Sequence, residues 1–327
     1  MEHLINSFDM KNHKNKPLVS IVIPCYNEEE NVKKLYFEIK ETTSEFNNRY
    51  EFEYIFIDND SSDNTVSILR SLACNDRNLK VIINTRNFGH LRSPYHALLQ
   101  ANGDCAILIA ADFQDPPSLI KEFINHWEKG SKIVIGVKNK SKENPLMFSI
   151  RKLYYNLIEK YSDIKHIKNF TGFGLYDISV IDMVRDLNEP YPYFRGLIAE
   201  TGLKYDEIFF TQPRRSKGKS KNNFYTLFDI AMLGFVSYSK VPLRFSIFVG
   251  LFASFMSLMA ALTYFVYKLM YWDSFQLGVA PVIIGMFLFA SIQLIFIGLI
   301  GEYVGAIHTQ IKNRPLVYEK ERINFDS

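Results

Sequence analysis

Ile107–Pro117 reads ILIAADFQDPP, an apolar run that closes on Asp112, Gln114 and Asp115 and is stopped by two prolines. The pattern predicts a buried strand that delivers oxygen-bearing side chains to its C-terminal end. In open α/β sheets that edge is where ligands bind. Pro116 and Pro117 cannot extend a central strand, so the turn and the candidate site coincide. Carboxylate and amide oxygens are hard donors. They suit Mg2+ or Mn2+, ions that commonly also hold substrate phosphates. Solvated turn acids at a strand end are the alternative reading of this stretch taken alone.

The same plan recurs on either side of it. LVSIVI (18–23) ends at Pro24 and is followed by CYNEEENVKKLYFEIK, where Val32, Leu35, Tyr36 and Ile39 recur at helical spacing with Asn27 as a candidate N-cap. EYIFIDNDSSDNT gives a strand, an acidic turn and a helix through Thr65–Leu72. LKVIINTRN is a third strand with a helix over Ser93–Ala101, Leu119–Trp127 a helix behind the opening stretch, and KIVIGV (132–137) a fifth strand. Strands alternating with helices predict an α/β domain, a mostly parallel sheet covered on both faces. Right-handed crossovers then collect Pro24–Glu29, Asp58–Asp63, Arg86–Gly89 and Asp112–Asp115 along one edge. One acidic turn means little; four polar strand ends in register make a site. Neither GxGxxG nor GxxxxGK[ST] occurs, which argues against a dinucleotide or Walker-type cradle.

The chain has 327 residues, enough for roughly two domains, and a net charge of +3, which implies no bulk polyanion and no nucleic acid as partner. Cys25, Cys74 and Cys105 lie far apart without CxxC spacing, so reduced thiols are expected rather than zinc or a disulfide framework. Residues 1–16 are polar and lack the apolar core of a signal peptide. The local charge says more: RRSKGKSK (214–221) carries five positive charges and no negative one.

Toward the C-terminus the composition changes. Phe245–Tyr267 is 23 residues without a charge and Ser274–Gly301 is 28 more. Each exceeds the ~20 apolar residues that span a bilayer. Lys240 and Arg244 precede the first run, Lys312 and Arg314 follow the second, and the connection has only Lys268 against Asp273. The positive-inside rule puts both ends in the cytoplasm, with Tyr264, Tyr267, Tyr271 and Trp272 as an outer aromatic belt. Before the spans, Phe224, Leu227, Phe228, Ala231, Met232 and Phe235 share one helical face, as an interfacial helix would. The expected domains are a polar tail (1–16), a cytosolic catalytic domain (17–213), a basic loop and juxtamembrane helix (214–240), two spans near 245–267 and 277–301 within 241–303, and a cytosolic tail (304–327).

The segments VSIVIPCYNEEENV, FIDNDSSDNT, RNFG, ADFQDPP, FTGFGLYD, YFRGL and RRSKGKSK, with the two spans, resemble glycosyltransferase family 2 in the GT-A fold. Among its members the chain is similar to the membrane-anchored polyprenyl-phosphate glycosyltransferases, relatives of dolichyl-phosphate mannose synthase and bactoprenol glucosyltransferases. The resemblance implies that Pro24, Tyr26, Asn27 and Glu28, with Asp58, frame the base and ribose of a UDP- or GDP-sugar, to which Asp60, Arg86 and Asp112 also bind. It implies that Asp112 and Gln114 hold the divalent ion, with Asp115 as a further ligand or orienter. It also places Lys138, Arg151 and Arg195 at an acceptor phosphate, and closes Arg215, Lys217 and Lys221 over the diphosphate. Asp177 matches a carboxylate near the acceptor; it reads equally well as a helix N-cap before ISVIDMVRDL. The resemblance further implies a homo-oligomer in the plasma or inner membrane.

The chain departs from the family where Asp-Asp-Gly-Ser becomes Asp58-Asn59-Asp60-Ser61 and where Asp-x-Asp becomes Ala110-Ala111-Asp112. The expected activity is inverting, metal-assisted transfer of a sugar to a polyprenyl phosphate at the cytoplasmic leaflet. A processive polysaccharide synthase is one alternative, weakened because neither Trp127 nor Trp272 lies in a QxxRW segment. A degenerate transferase serving as a membrane scaffold is the other, favoured by Ala110 and opposed by intact Asp112, Asp58, Asp177 and Arg195.

Overall fold

In the computed structural model, the described residues are 16–139, 167, 170–190, 192–213, 241–270, 279–312 and 314–325. The chain divides into two compact units: residues 1–152, 165–222 and 313–327 form one, and residues 153–164 and 223–312 the other.

The first unit is built on a mixed sheet. Its strands are β1 (Leu18–Cys25), β2 (Glu51–Asp58), β3 (Leu79–Asn84), β4 (Cys105–Leu108), β5 (Ile133–Lys138), β6 (Phe170–Asp177), β7 (Asp206–Phe210) and β8 (Glu319–Ile323), in the spatial order β7-β5-β6-β4-β1-β2-β3-β8. Helices α1 (Val32–Ser44), α2 (Thr65–Asn75) and α3 (Gly89–Leu99) make the crossovers of the parallel half, and α4 (Ile120–Glu128) precedes β5. Helices α5 (Ile178–Asp186) and α6 (Phe194–Glu200) follow β6. The central strands are buried on both faces; Ile21, Ile23, Phe56 and Ile107 are closed to solvent in one cluster, and Val22, Ile55, Ile57 and Ala106 in the other. This is why they read as unbroken apolar runs rather than alternating ones.

Two features differ from the sequence expectation. FTGFGLYD is a strand, β6, inserted antiparallel between β4 and β5, so those two do not neighbour each other. Its glycines serve that packing: a Cβ at Gly174 would stand 2.4 Å from the Val134 carbonyl oxygen. The second concerns residues 304–327, expected as a short charged cytosolic tail with no place in the strand plan. After the second long helix the chain returns and pairs antiparallel with β3 as β8. Arg70 forks onto both Glu321 carboxylate oxygens, His96 meets Glu319 at 2.6 Å, and the Asn324 amide serves the carbonyls of Ala73, Asp76 and Leu79. Val317 is buried and Ile323 packs on the core.

This edge is sensitive to acid. Burial raises the Glu319 carboxyl, but hydrogen bonds from Arg322 and His96 outweigh it and hold it below the ordinary value. Such a group adds stability that is present above its unfolded pKa of about 4.3 and is lost as pH falls through the folded value. Acidification is therefore expected to loosen β8. Glu319→Gln should flatten the acid limb of the thermal unfolding midpoint against pH, and an unchanged limb would contradict this.

The second unit contains α7 (Val241–Met270) and α8 (Val279–Ile311), which pack against each other. Over the residues whose side chains are described, no helix is long and apolar enough to cross a membrane; several positions inside both helices fall outside that description. The helical backbones are continuous over 30 and 33 residues. Phe248, Leu251, Phe252, Leu294, Ile295 and Ile297 are each more than 60 % exposed, unusual for a face that meets water.

Candidate active site

The register of the sheet decides what can meet. In the parallel half Cys25 ends β1 level with Asp58 at the end of β2, and Leu108 stands level with Val22. β6 runs against β4, and β5 against β6, so Lys138 at the end of β5 reaches the same edge as the turn after β4. β7 is parallel to β5, so the chain leaving Phe210 also departs from that edge.

Three non-glycine residues in these turns have left-handed backbones: Asn27 at φ 54°, Asp60 at 65° and Phe113 at 60°. Such conformations cost energy and persist only where surrounding bonds fix them. Here the first two turns are laced together. The Asn27 amide donates to Ser61 Oγ (2.8 Å), and Asn27 Oδ1 accepts from the Ser62 amide (2.8 Å). The Glu28 amide donates to Thr65 Oγ1 (2.9 Å), and Glu29 exchanges bonds with Asp63 and Asn64. Asn27 is thus a cross-link between turns rather than a cap, and α1 begins later, at Val32.

Asp58 does not fit the role of a direct nucleotide contact. It is closed to solvent, and its oxygens accept from the Ser61 amide (2.9 Å) and Ser61 Oγ (2.5 Å). Burial pushes its carboxyl up while the Ser61 bonds hold it back. It shapes the turn, and Asp60 is the exposed carboxylate there. Glu28 is also turned inward, taking a bond from Asn31 Nδ2. Asn59 was not singled out by sequence reasoning, yet it organises the next turn. Its Oδ1 accepts from Asn84 Nδ2 (3.1 Å) and the Phe88 amide (2.9 Å), and its Nδ2 donates to Asn87 Oδ1 (2.9 Å) and the Gly89 carbonyl (3.3 Å). A carboxylate could not make the last two bonds. Three asparagines at adjoining strand ends were the available signal.

In the turn after β4, Asp112 Oδ1 accepts from the Gln114 amide (3.1 Å), and the buried Asp115 carboxylate folds back onto the Ala110 amide (3.1 Å). Burial pushes Asp115 up to about 6; the Ala110 bond and the Lys138 charge pull it down, and the charge of Asp112 pushes it up. Two carboxylates that repel each other, beside a lysine, form an electrostatic arrangement that a bound cation would relax. Among the described residues no three His, Cys, Asp or Glu side chains group as metal ligands.

Arg195 reaches the same edge, donating to the Phe170 carbonyl (3.3 Å) at the start of β6 and stacking over Tyr193. Asp177 does not. Because β6 is antiparallel, it lies level with Cys105 at the beginning of β4, the opposite edge of the sheet. There it caps α5, accepting from the Ser179 amide (3.0 Å) and from Trp127 Nε1 (2.9 Å). Asp177→Ala is expected to lower stability by about 1–2 kcal/mol, as loss of a helix cap does, and to leave sugar transfer intact. Loss of transfer at unchanged thermal stability would return Asp177 to the site. Arg151, Arg215, Lys217, Lys221 and the expected interfacial helix lie outside the described residues.

The family model for glycosyl transferase family 2 matches residues 20–182. A glycosyltransferase of Bacillus subtilis (strain 168) named as uncharacterised is 32% identical over 301 residues, covering 91% of each chain. The chain belongs to glycosyl transferase family 2. It is also 31% identical over 300 residues to an SfII prophage-derived bactoprenol glucosyl transferase of Shigella flexneri, covering 91% of this chain and 96% of that one. Among solved structures, glucosyl-3-phosphoglycerate synthase of Mycobacterium tuberculosis with UDP is similar at TM-score 0.46 and 14% identity, over 67% of this chain and 78% of that one.

As a family 2 transferase the chain is a glycosyltransferase with a mixed α/β sheet. One departure from the family pattern has a local reason. Asn59 supplies the amide its loop requires; the alanine at 110 has no structural explanation, since the bond to Asp115 comes from its backbone N–H.

Proposed function

We propose that the chain transfers one sugar from a UDP- or GDP-sugar to a polyprenyl phosphate at the cytoplasmic leaflet of the plasma or inner membrane, with inversion. The observation that carries this reading is the convergence at one sheet edge of acidic turns (Asp60, Asp112, Asp115) and cations (Arg86, Lys138, Arg195). Acidic and amide groups suit ribose and base, and arginine forks suit phosphates. The bactoprenol glucosyl transferase named above supports a polyprenyl acceptor.

Asp112 and Asp115, with the Gln114 side chain, are hard oxygen donors that fit Mg2+ or Mn2+, the diphosphate and water completing the shell. The ion would neutralise charge on the departing nucleoside diphosphate. The protein's own part is positioning. The laced turns hold donor groups without reorganisation, and Lys138 and Arg195 orient an acceptor phosphate that is already anionic near neutral pH. Little proton abstraction is then required, in keeping with the removal of Asp177 from the site.

The uncharged runs at 245–267 and 274–301 support a membrane hairpin. β1–β7 precede the two helices and β8 follows them in one sheet, which favours both ends of the hairpin on the same side of the bilayer. The reading is tested by offering radiolabelled UDP- and GDP-sugars with a lipid extract. Label in a lipid-linked monosaccharide supports it, and label in polymer or in no lipid refutes it.

A further inference from the structure

The return of the chain after α8 brings one side chain to the candidate donor site. Tyr318 precedes β8, and because β8 runs against β3 with Asn84 level with Glu319, Tyr318 arrives at the edge where β3 ends. Its carbonyl accepts from the Thr85 amide (2.8 Å) and from Thr85 Oγ1 (3.1 Å). Its ring packs on Phe88, centroids 6.1 Å apart, and the Arg86 guanidinium lies 4.1 Å over the other partner of that pair, the Phe88 ring. The loop Arg86–Gly89 is thus gripped twice, by Asn59 at the end of β2 and by the Tyr318 ring from the far end of the sequence. Tyr318 is 53 % exposed, so its ring is not there to fill the core.

We propose that Tyr318 is a positioning residue for the nucleotide-sugar: its ring, packed on Phe88, fixes where Arg86 presents its guanidinium to the donor. The proposal rests on the donor class given under the proposed function. It follows that the segment returning from the helical hairpin completes the donor site of a unit whose other parts all precede that hairpin. Arg86 binds charge present in both the bound donor and the transition state, so loosening it weakens donor binding more than it slows the chemical step.

The test uses the full chain in detergent, with three variants. Tyr318→Ala keeps the backbone carbonyl that holds Thr85 but loses the ring on Phe88; it is expected to raise the Kd for UDP or GDP about tenfold, to raise KM for the nucleotide-sugar in parallel with kcat little changed, and to speed amide exchange at Phe88 and Gly89. Tyr318→Phe keeps the ring and should restore all three. Glu321→Ala breaks the Arg70 pair further along β8, and should lower the melting temperature without moving the nucleotide Kd. Unchanged exchange at Phe88 and Gly89 in Tyr318→Ala overturns the inference whatever the donor proves to be. So does a Glu321→Ala variant that weakens nucleotide binding equally, since the effect would then be general loosening. A wild-type chain that binds neither UDP nor GDP, while the loop exchange responds as expected, refutes the donor reading and with it the assignment of Tyr318 to that donor.

Discussion

Asp112→Asn is expected to lower sugar transfer by about a thousandfold, the loss seen when one preorganised charge-stabilising group is removed, while leaving the fold intact. The substitution is chosen for shape. Asp112 Oδ1 accepts from the Gln114 amide, and an asparagine oxygen accepts the same bond, so the turn that carries Phe113 at φ 60° keeps its closure. What disappears is the charge. Without it the site retains Asp115, whose carboxyl burial pushes up to about 6 and whose oxygen is committed to Ala110. Asp115 alone is a poor replacement, because its carboxylate is buried and one oxygen is already engaged by the Ala110 amide. Near-normal turnover in Asp112→Asn, with added Mg2+ or Mn2+, would show that the reaction does not pass through this turn.

Removing residues 314–327 is expected to destabilise the catalytic unit by several kcal/mol, about half of the stability a domain commonly has. The loss has three parts. β3 becomes an exposed edge, with its amides and carbonyls open to pairing between molecules. Burial of Val317 is given up, worth about 2 kcal/mol for a side chain of that size. The carbonyls of Ala73, Asp76 and Leu79 lose the Asn324 amide, at about 1 kcal/mol per hydrogen bond. The truncated chain should melt many degrees lower and aggregate on heating. A truncation that melts with the full chain would mean that β8 is an accessory to the sheet.

The contrast between these two regions shows what the sequence encodes locally. The turn after β4 was legible because its chemistry sits in eleven consecutive residues, where an apolar run, three oxygen-bearing side chains and two prolines point the same way. β1–β5 were legible for the same reason. β8 was not: EKERI carries charges at four of five positions, and its partners Arg70 and His96 lie more than two hundred residues away. Nothing local says that such a strand belongs in a sheet. Asp177 failed in the opposite sense. Its motif was visible, but whether it faces the site depends on strand direction, and β6 runs antiparallel. Asn59 was passed over as a substitution in a familiar motif, whereas its donor and acceptor bonds to four other residues make it the organiser of the Arg86–Gly89 loop.

In the proposed reaction one sugar passes from a nucleotide to a polyprenyl phosphate. It is tested most directly by incubating the purified full chain with a defined polyprenyl phosphate, Mg2+ or Mn2+ and each UDP- and GDP-sugar in turn, then weighing the lipid by mass spectrometry. The expected product is a polyprenyl phosphate heavier by a single sugar residue, formed with one donor and absent in Asp112→Asn. Lipid carrying a ladder of sugars, or lipid of unchanged mass with every donor, would contradict it.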